Sequence, residues 1–176
     1  MRIPSITTAR LFLRPFAPTD ADSLFLILQE KEILRYFPPS PNPLTRERAE
    51  RLISSQLNHW REHKLGWWAV EPRATNRLIG WCGLQFLQET EETEVGFLIS
   101  RAFWGKGLTT EAARASLSYG FDNLGLQRIV GITHPENIAS QRVLEKIGMK
   151  FTAKARYFDM DCYRYSIDRT SYSIRE

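Results

Sequence analysis

The chain has 176 residues, 43% hydrophobic and 25% charged, which fits one globular domain with a real core and excludes a disordered or fibrous chain. A net charge of +4 with no run of like charges suits an anionic ligand and argues against a basic nucleic-acid-binding tail or face. Cys82 and Cys162 make neither a metal spacing nor a disulfide framework, no apolar run approaches the roughly 20 residues of a membrane span, and no secretory signal opens the chain, so a cytoplasmic protein with free thiols is expected.

Thr8 to Phe16 alternates as a first strand, with Leu11 and Leu13 on one face. Asp20 and Asp22 stand where a helix start favours acids, and Leu24, Ile27 and Leu28 carry that helix to about Gln29. Four prolines between Pro38 and Pro43 exclude regular structure and predict an extended loop. Thr45 then caps a helix whose apolar face is Ala49, Leu52, Ile53, Leu57 and Trp60.

Strands follow at Trp67 to Val70 and Leu78 to Phe86, the second with a bulge suggested by Gly80 and Gly83. After an acidic turn at Glu89 to Glu92, a fourth strand runs from Glu94 to Ile99. Phe103 to Leu108 is a tight turn, and Thr109 or Thr110 caps the next helix, which runs to about Asn123. Arg128 to Thr133 is a strand, Asn137 to Ile147 a helix stopped by Gly148, and Phe151 to Phe158 and Cys162 to Ile167 are strands. The order predicts a single α+β domain over residues 1–176. Its twisted sheet of six to seven strands is mixed, mostly antiparallel, and flanked by about four helices.

The turn Trp104-Gly105-Lys106-Gly107 joins a strand to a helix. Its glycines let the backbone approach a ligand, and the helix start offers unpaired N–H groups and the positive end of a dipole, so the turn reads as an anion site with Lys106 nearby. It is neither a nucleotide P-loop, since GxxxxGK[ST] is absent, nor the GxGxxG fingerprint, since position 110 is Thr.

Three segments in order, Glu94-Val95-Gly96-Phe97, Trp104 to Ala112 and Asn137 to Met149, resemble the GNAT acyltransferase superfamily. With the first strand, they resemble most the branch that includes the ribosomal-protein N-terminal acetyltransferases. The resemblance spans nearly the whole chain. It implies acetyl-coenzyme A as co-substrate, no metal, and a primary amine as acceptor. The backbone of Phe97, Leu98 and Ile99 would pair with the pantetheine arm. The amides of Trp104, Gly105, Lys106, Gly107, Leu108 and Thr109 would hold the pyrophosphate. Asn137 would bond the pantetheine, and Ser140 would sit near the sulfur. Family members are often monomers or dimers.

Many family members carry a tyrosine acid seven residues after this asparagine; here the position is Leu144. Ser140 is the nearest substitute, unless its hydroxyl only bonds its own backbone. Glu94 is the candidate base, at a place where some members carry a glutamate; the alternative is an exposed strand carboxylate. A lysine amine, with pKa near 10.4, is far harder to deprotonate than an α-amine near 7.7–8.0, and a site without an obvious strong base leans toward α-amines. A protein N-terminal α-amine is therefore expected. The alternatives are a small-molecule amine (amino acid, polyamine or antibiotic) and a coenzyme A-binding protein without catalysis.

His59 and His63 share a helix face but lack a third ligand, and His134 reads as a loop residue. Trp67, Trp68 and Trp81 read as core. In this family Tyr36 and Phe37 would lie beside the acceptor, and Tyr163 and Tyr165 can face the same cleft. The acids Glu89, Glu91 and Glu92 either attract the amine or keep a hairpin soluble.

Overall fold

The computed structural model describes residues 2–38 and 43–173. Its strands are β1 (Ile6–Thr7), β2 (Leu11–Arg14), β3 (Trp67–Pro72), β4 (Gly80–Leu87), β5 (Glu92–Ile99), β6 (Arg128–Thr133), β7 (Lys150–Tyr157) and β8 (Met160–Asp168). The helices are α1 (Ala21–Leu28), α2 (Lys31–Leu34), α3 (Arg46–His63), α4 (Leu108–Ser118), α5 (Ile138–Lys146) and α6 (Arg169–Ser173). All strands join one sheet in the order β1-β2-β3-β4-β5-β6-β8-β7. Every neighbouring pair is antiparallel except β5 with β6. The expected mixed, mostly antiparallel α+β fold with four major helices is what forms.

The eighth strand comes from the N-terminus. The expected first strand breaks at Thr8, which turns the chain back through a Thr8 N–H to Leu11 carbonyl bond of 2.9 Å. The Thr8 hydroxyl donates to Glu111 at 2.6 Å, a partner 103 residues away that the local pattern cannot announce. Leu11 and Leu13 face the core fully buried, as their alternation requires. Asp20 stands at the helix start as expected, at the N-cap of α1, and accepts the Ala17 N–H at 2.7 Å. It is buried and takes both terminal nitrogens of Arg14 at 2.7 Å.

Thr45 caps α3 by accepting the Arg48 N–H. The proline loop falls partly outside the described residues, at positions 39–42. No bulge interrupts β4, whose register with β3 and β5 is continuous. Gly80 and Gly83 are there because neighbouring backbones press close. A side chain on Gly83 would collide with the Gly66 carbonyl, and one on Gly80 with that of Leu98. The register shift lies instead between β7 and β8, at Phe151 to Ala153.

The sheet is covered on both faces. On one, α4 lays fully buried Ala112, Ala113 and Leu117 against Trp68, Cys82, Leu84, Val95 and Ile99. On the other, Leu24, Ile27, Ala49 and Ile53 of α1 and α3 cover Ala69, Trp81 and Leu98. Each fully buried large aliphatic side chain contributes about 1.5–3 kcal/mol. The chain crosses from β5 through α4 to β6, yet β5 and β6 share a single register pair, Glu94 with Val130. Beyond it the strands diverge, and the sheet is open along one side of β5. Among the described residues no helix is long and apolar enough to cross a membrane.

Candidate active site

The divergence leaves the last residues of β5 with a free edge. Ser100 donates its N–H to the Ile79 carbonyl at 2.7 Å. By the alternation of an antiparallel pair, Phe97 and Ile99 therefore aim their backbone groups at the open side, and Leu98 aims its own at β4. Of the three residues expected to pair with an extended ligand, Phe97 and Ile99 have the right direction and Leu98 does not. The Trp104 indole N–H already donates to the Ile99 carbonyl at 2.6 Å, so the N–H groups of both residues and the Phe97 carbonyl remain.

At the end of this edge the chain turns into α4. Gly105 and Gly107 adopt φ of 73° and 74°, the left-handed region that favours glycine. Gly107 is the N-cap, so neither Thr109 nor Thr110 caps the helix. No side chain caps it, and the first N–H groups, from Leu108 onward, stay free at the positive end of an 11-residue helix. A Cβ built on Gly105 meets nothing within 4 Å, so the turn is an open cradle. These features fit a pyrophosphate.

Glu111, in the first turn, does not oppose an anion with a free charge. It accepts from the Thr8 hydroxyl, the Arg10 N–H and the Arg10 guanidinium at 2.6–2.8 Å. Arg10 also donates to the Lys106 carbonyl at 2.8 Å and so ties the turn to the N-terminal hairpin, a role the sequence did not reveal. Lys106 points elsewhere: its ammonium donates to the Ala102 carbonyl at 3.0 Å and lies over the Phe103 ring. The side chain of Leu108 is in the core.

A groove of about 560 Å³ runs past Trp104, Gly105, Gly107 and Thr109. Arg142 and Lys146, one turn apart on α5, line it as well. A second cavity of about 280 Å³ lies beside it, with Glu94 in its wall. Tyr36, Phe37, Phe97, Asn137 and Ser140 line both, and mark where they meet. Asn137 is already partly committed, since its side-chain oxygen caps α5 by accepting the Ser140 N–H at 3.1 Å. Its amide nitrogen is the group left to offer a ligand.

Glu94 is buried at 8% exposure, not a solvated strand carboxylate. Removal from water pushes its carboxyl from the ordinary 4.5 up to about 8, and the Ile132 N–H it accepts offsets only part of that rise. Leu144, where a tyrosine was sought, is buried in the core and lines neither cavity.

The other expectations divide. Tyr36 and Phe37 line the second cavity, but from β8 it is Met160 and Cys162, not Tyr163 and Tyr165, that face it. The two tyrosines lie on the opposite face of β8, edge-on against Phe151. Glu92 neither waits for an amine nor solubilises a turn; it accepts from Arg164 and from the Tyr157 hydroxyl. His59 accepts the Phe86 N–H at 3.1 Å, a structural role, and His134 lines the second cavity next to Tyr36. Trp68 and Trp81 are buried in the core as expected, and Trp81 also stacks on half-buried Trp67 at 3.6 Å where both line the cavity.

The family model described as the acetyltransferase (GNAT) domain matches residues 10–150. YoaA of Bacillus subtilis strain 168, named as an uncharacterized N-acetyltransferase, is 33% identical over 148 residues, 84% of this chain and 83% of that protein. A GNAT-family acetyltransferase from Bacillus anthracis superposes with a TM-score of 0.81 at 25% identity, over 95% of this chain and 99% of that one. RimJ of Mycobacterium smegmatis, solved in complex with CoA-disulfide, gives 0.84 at 17% identity over 96% and 90%, a likeness of fold.

Proposed function

The chain belongs to the GNAT acetyltransferase family and is an N-acetyltransferase that uses acetyl-coenzyme A, and we propose that its acceptor is an α-amine whose proton Glu94 takes. The observation that carries this reading is the carboxyl of Glu94, buried in the second cavity and titrating near 8. A base of that strength is level with an α-amine at about 7.7–8.0 and more than two pKa units short of a lysine amine near 10.4.

In this reading the groove holds the co-substrate. The open N–H groups at the start of α4 bind its pyrophosphate, and the free edge of β5 aligns its arm toward the junction of the two cavities. The acceptor enters the second cavity. Glu94 takes the proton that the amine nitrogen gives up as it bonds the acetyl carbon. The Phe97 N–H donates to the carbonyl oxygen on which charge develops. Ser140, one turn into α5, donates to the departing sulfur, which then takes a proton from solvent.

The test is incubation of the pure protein with acetyl-coenzyme A and a panel of N-terminal peptides, lysine side-chain analogues, polyamines and aminoglycosides, following free thiol. Turnover is expected on the α-amines at neutral pH. Turnover confined to lysine-type amines overturns the proposed acceptor. Cofactor binding with no turnover on any amine overturns the proposed chemistry.

A further inference from the structure

Three buried side-chain polar atoms among the described residues have no hydrogen-bond partner: Trp67 Nε1, Trp81 Nε1 and Thr133 Oγ1. All three residues line the same cavity, the one that holds Glu94. An unpaired buried donor or acceptor is costly, and native interiors hold few of them. Their concentration around one cavity marks a place where a polar partner arrives with a ligand.

The charges of the wall narrow what that ligand is. Among the described residues Glu94 is the only carboxylate in its lining, and no lysine or arginine lines it. The carboxylate of a free amino acid would meet no lysine or arginine there, only the imidazole of His134, and the further ammonium groups of a polyamine no second carboxylate; both are disfavoured. An uncharged oxygen suits a wall that carries two indole N–H groups and a hydroxyl without partners.

Trp67 and Trp81 lie parallel, 7° apart, and Trp81 rests on Gly96, where an added Cβ would sit 3.2 Å from its Cζ3. Gly96 is two residues beyond Glu94 on the same face of β5, about 7 Å along the strand. Thr133 belongs to β6, across the divergence.

Building on the α-amine reading, we propose that the acceptor carries an uncharged carbonyl oxygen beside its amino group, and that Trp67, Trp81 and Thr133 form the subsite that holds this oxygen. An amino-acid amide and a peptide N-terminus share this chemistry; a free amino acid, a simple alkylamine and a polyamine lack it.

The test compares kcat/KM for leucinamide, a leucine-initiated tripeptide, leucine, 3-methylbutylamine and spermidine. Leucinamide or the tripeptide should exceed 3-methylbutylamine by at least about tenfold, and Trp81→Phe, which keeps a ring but removes the N–H, should cut that ratio by about tenfold. Thr133→Val, which leaves the indole stack untouched, should lower the same ratio. Between the two favoured acceptors, a higher value for the tripeptide identifies a peptide terminus and a higher value for leucinamide a small amide. Equal rates for amide and alkylamine, a preference for leucine or spermidine, or an unchanged ratio in both variants overturns the subsite while acetyl transfer stands. If no compound is acetylated by protein that binds acetyl-coenzyme A, both readings fall.

Discussion

Replacing Glu94 with glutamine separates a buried catalytic carboxyl from a passive one. Burial raises this carboxyl from 4.5 to about 8, so between those values the folded protein holds a proton that the unfolded chain has released. Stability must then fall as pH rises through that window and level off above it. At about 1.36 kcal/mol per pKa unit, the loss is of the order of 3–5 kcal/mol by pH 8. Glutamine has the same shape, carries no charge and can still accept the Ile132 N–H. Glu94→Gln should therefore melt about 10 °C above the parent at pH 8.5, at roughly 2–4 °C per kcal/mol for a chain of this size, and converge with it near pH 5. Its activity should fall about 10²–10⁴-fold. In the parent, kcat/KM should rise with pH through about 8 as Glu94 ionises. The α-amine adds its own limb near 7.7–8.0 in both proteins, so the difference between the two profiles isolates Glu94. Calorimetric melting across pH 5–9, together with thiol-release kinetics, reads both effects. Melting curves that stay parallel across that range, or a variant with parental kcat/KM, would refute the reasoning.

Other positions give independent checks. Gly107→Glu places a side chain at φ 74° and a carboxylate in the cradle, so it should cost about 1–2 kcal/mol of stability and weaken acetyl-coenzyme A binding by more than about tenfold in calorimetry; an unchanged Kd removes the pyrophosphate from this turn. Arg142→Ala with Lys146→Ala should raise the Kd for coenzyme A several-fold, at about 0.3–1 kcal/mol for each exposed charge, and the effect should vanish in high salt. Ser140→Ala should lower kcat by about tenfold or more and leave the KM for acetyl-coenzyme A nearly unchanged; a KM effect alone would make Ser140 a binding residue. Leu144→Tyr should not supply an acid. It should destabilise the fold by about 1–3 kcal/mol in urea titration, because the site is already filled.

Local pattern was enough wherever the determinant lay within a few residues. Leu11 and Leu13 alternate toward the core, Thr45 caps α3, and Gly148 stops the helix before it. The anion cradle was legible for the same reason, since a turn and a helix start are both local. What escaped depends on distant partners. The break at Thr8 needs Glu111, the clamp of Arg10 needs the Lys106 carbonyl, and the identity of the cap follows from the left-handed Gly107 rather than from the hydroxyls after it. Alternation along β8 was visible, but nothing local says which face is inner, so Tyr163 and Tyr165 were assigned to the cleft that Cys162 faces. The burial of Glu94 was least accessible of all, because its carboxyl depends on a distant strand, β6, whose Ile132 N–H it accepts.

The loss of the tyrosine acid at Leu144 is consistent with where the protons are costly. A thiol titrates near 8.5 and departs at neutral pH with little help, whereas the amine must shed a proton for the new bond to survive. The site reflects that imbalance. In the proposed reading Glu94, the one carboxyl among the described lining residues of the second cavity, serves the amine, and Ser140 serves the sulfur. Leu144 serves the geometry instead. Gly131 of β6 has no side chain, and a Cβ there would lie 2.5 Å from Leu144 Cδ2, so the leucine occupies that space and seats α5 on β6 just as β6 parts from β5. A tyrosine would have to leave this seat to reach the groove.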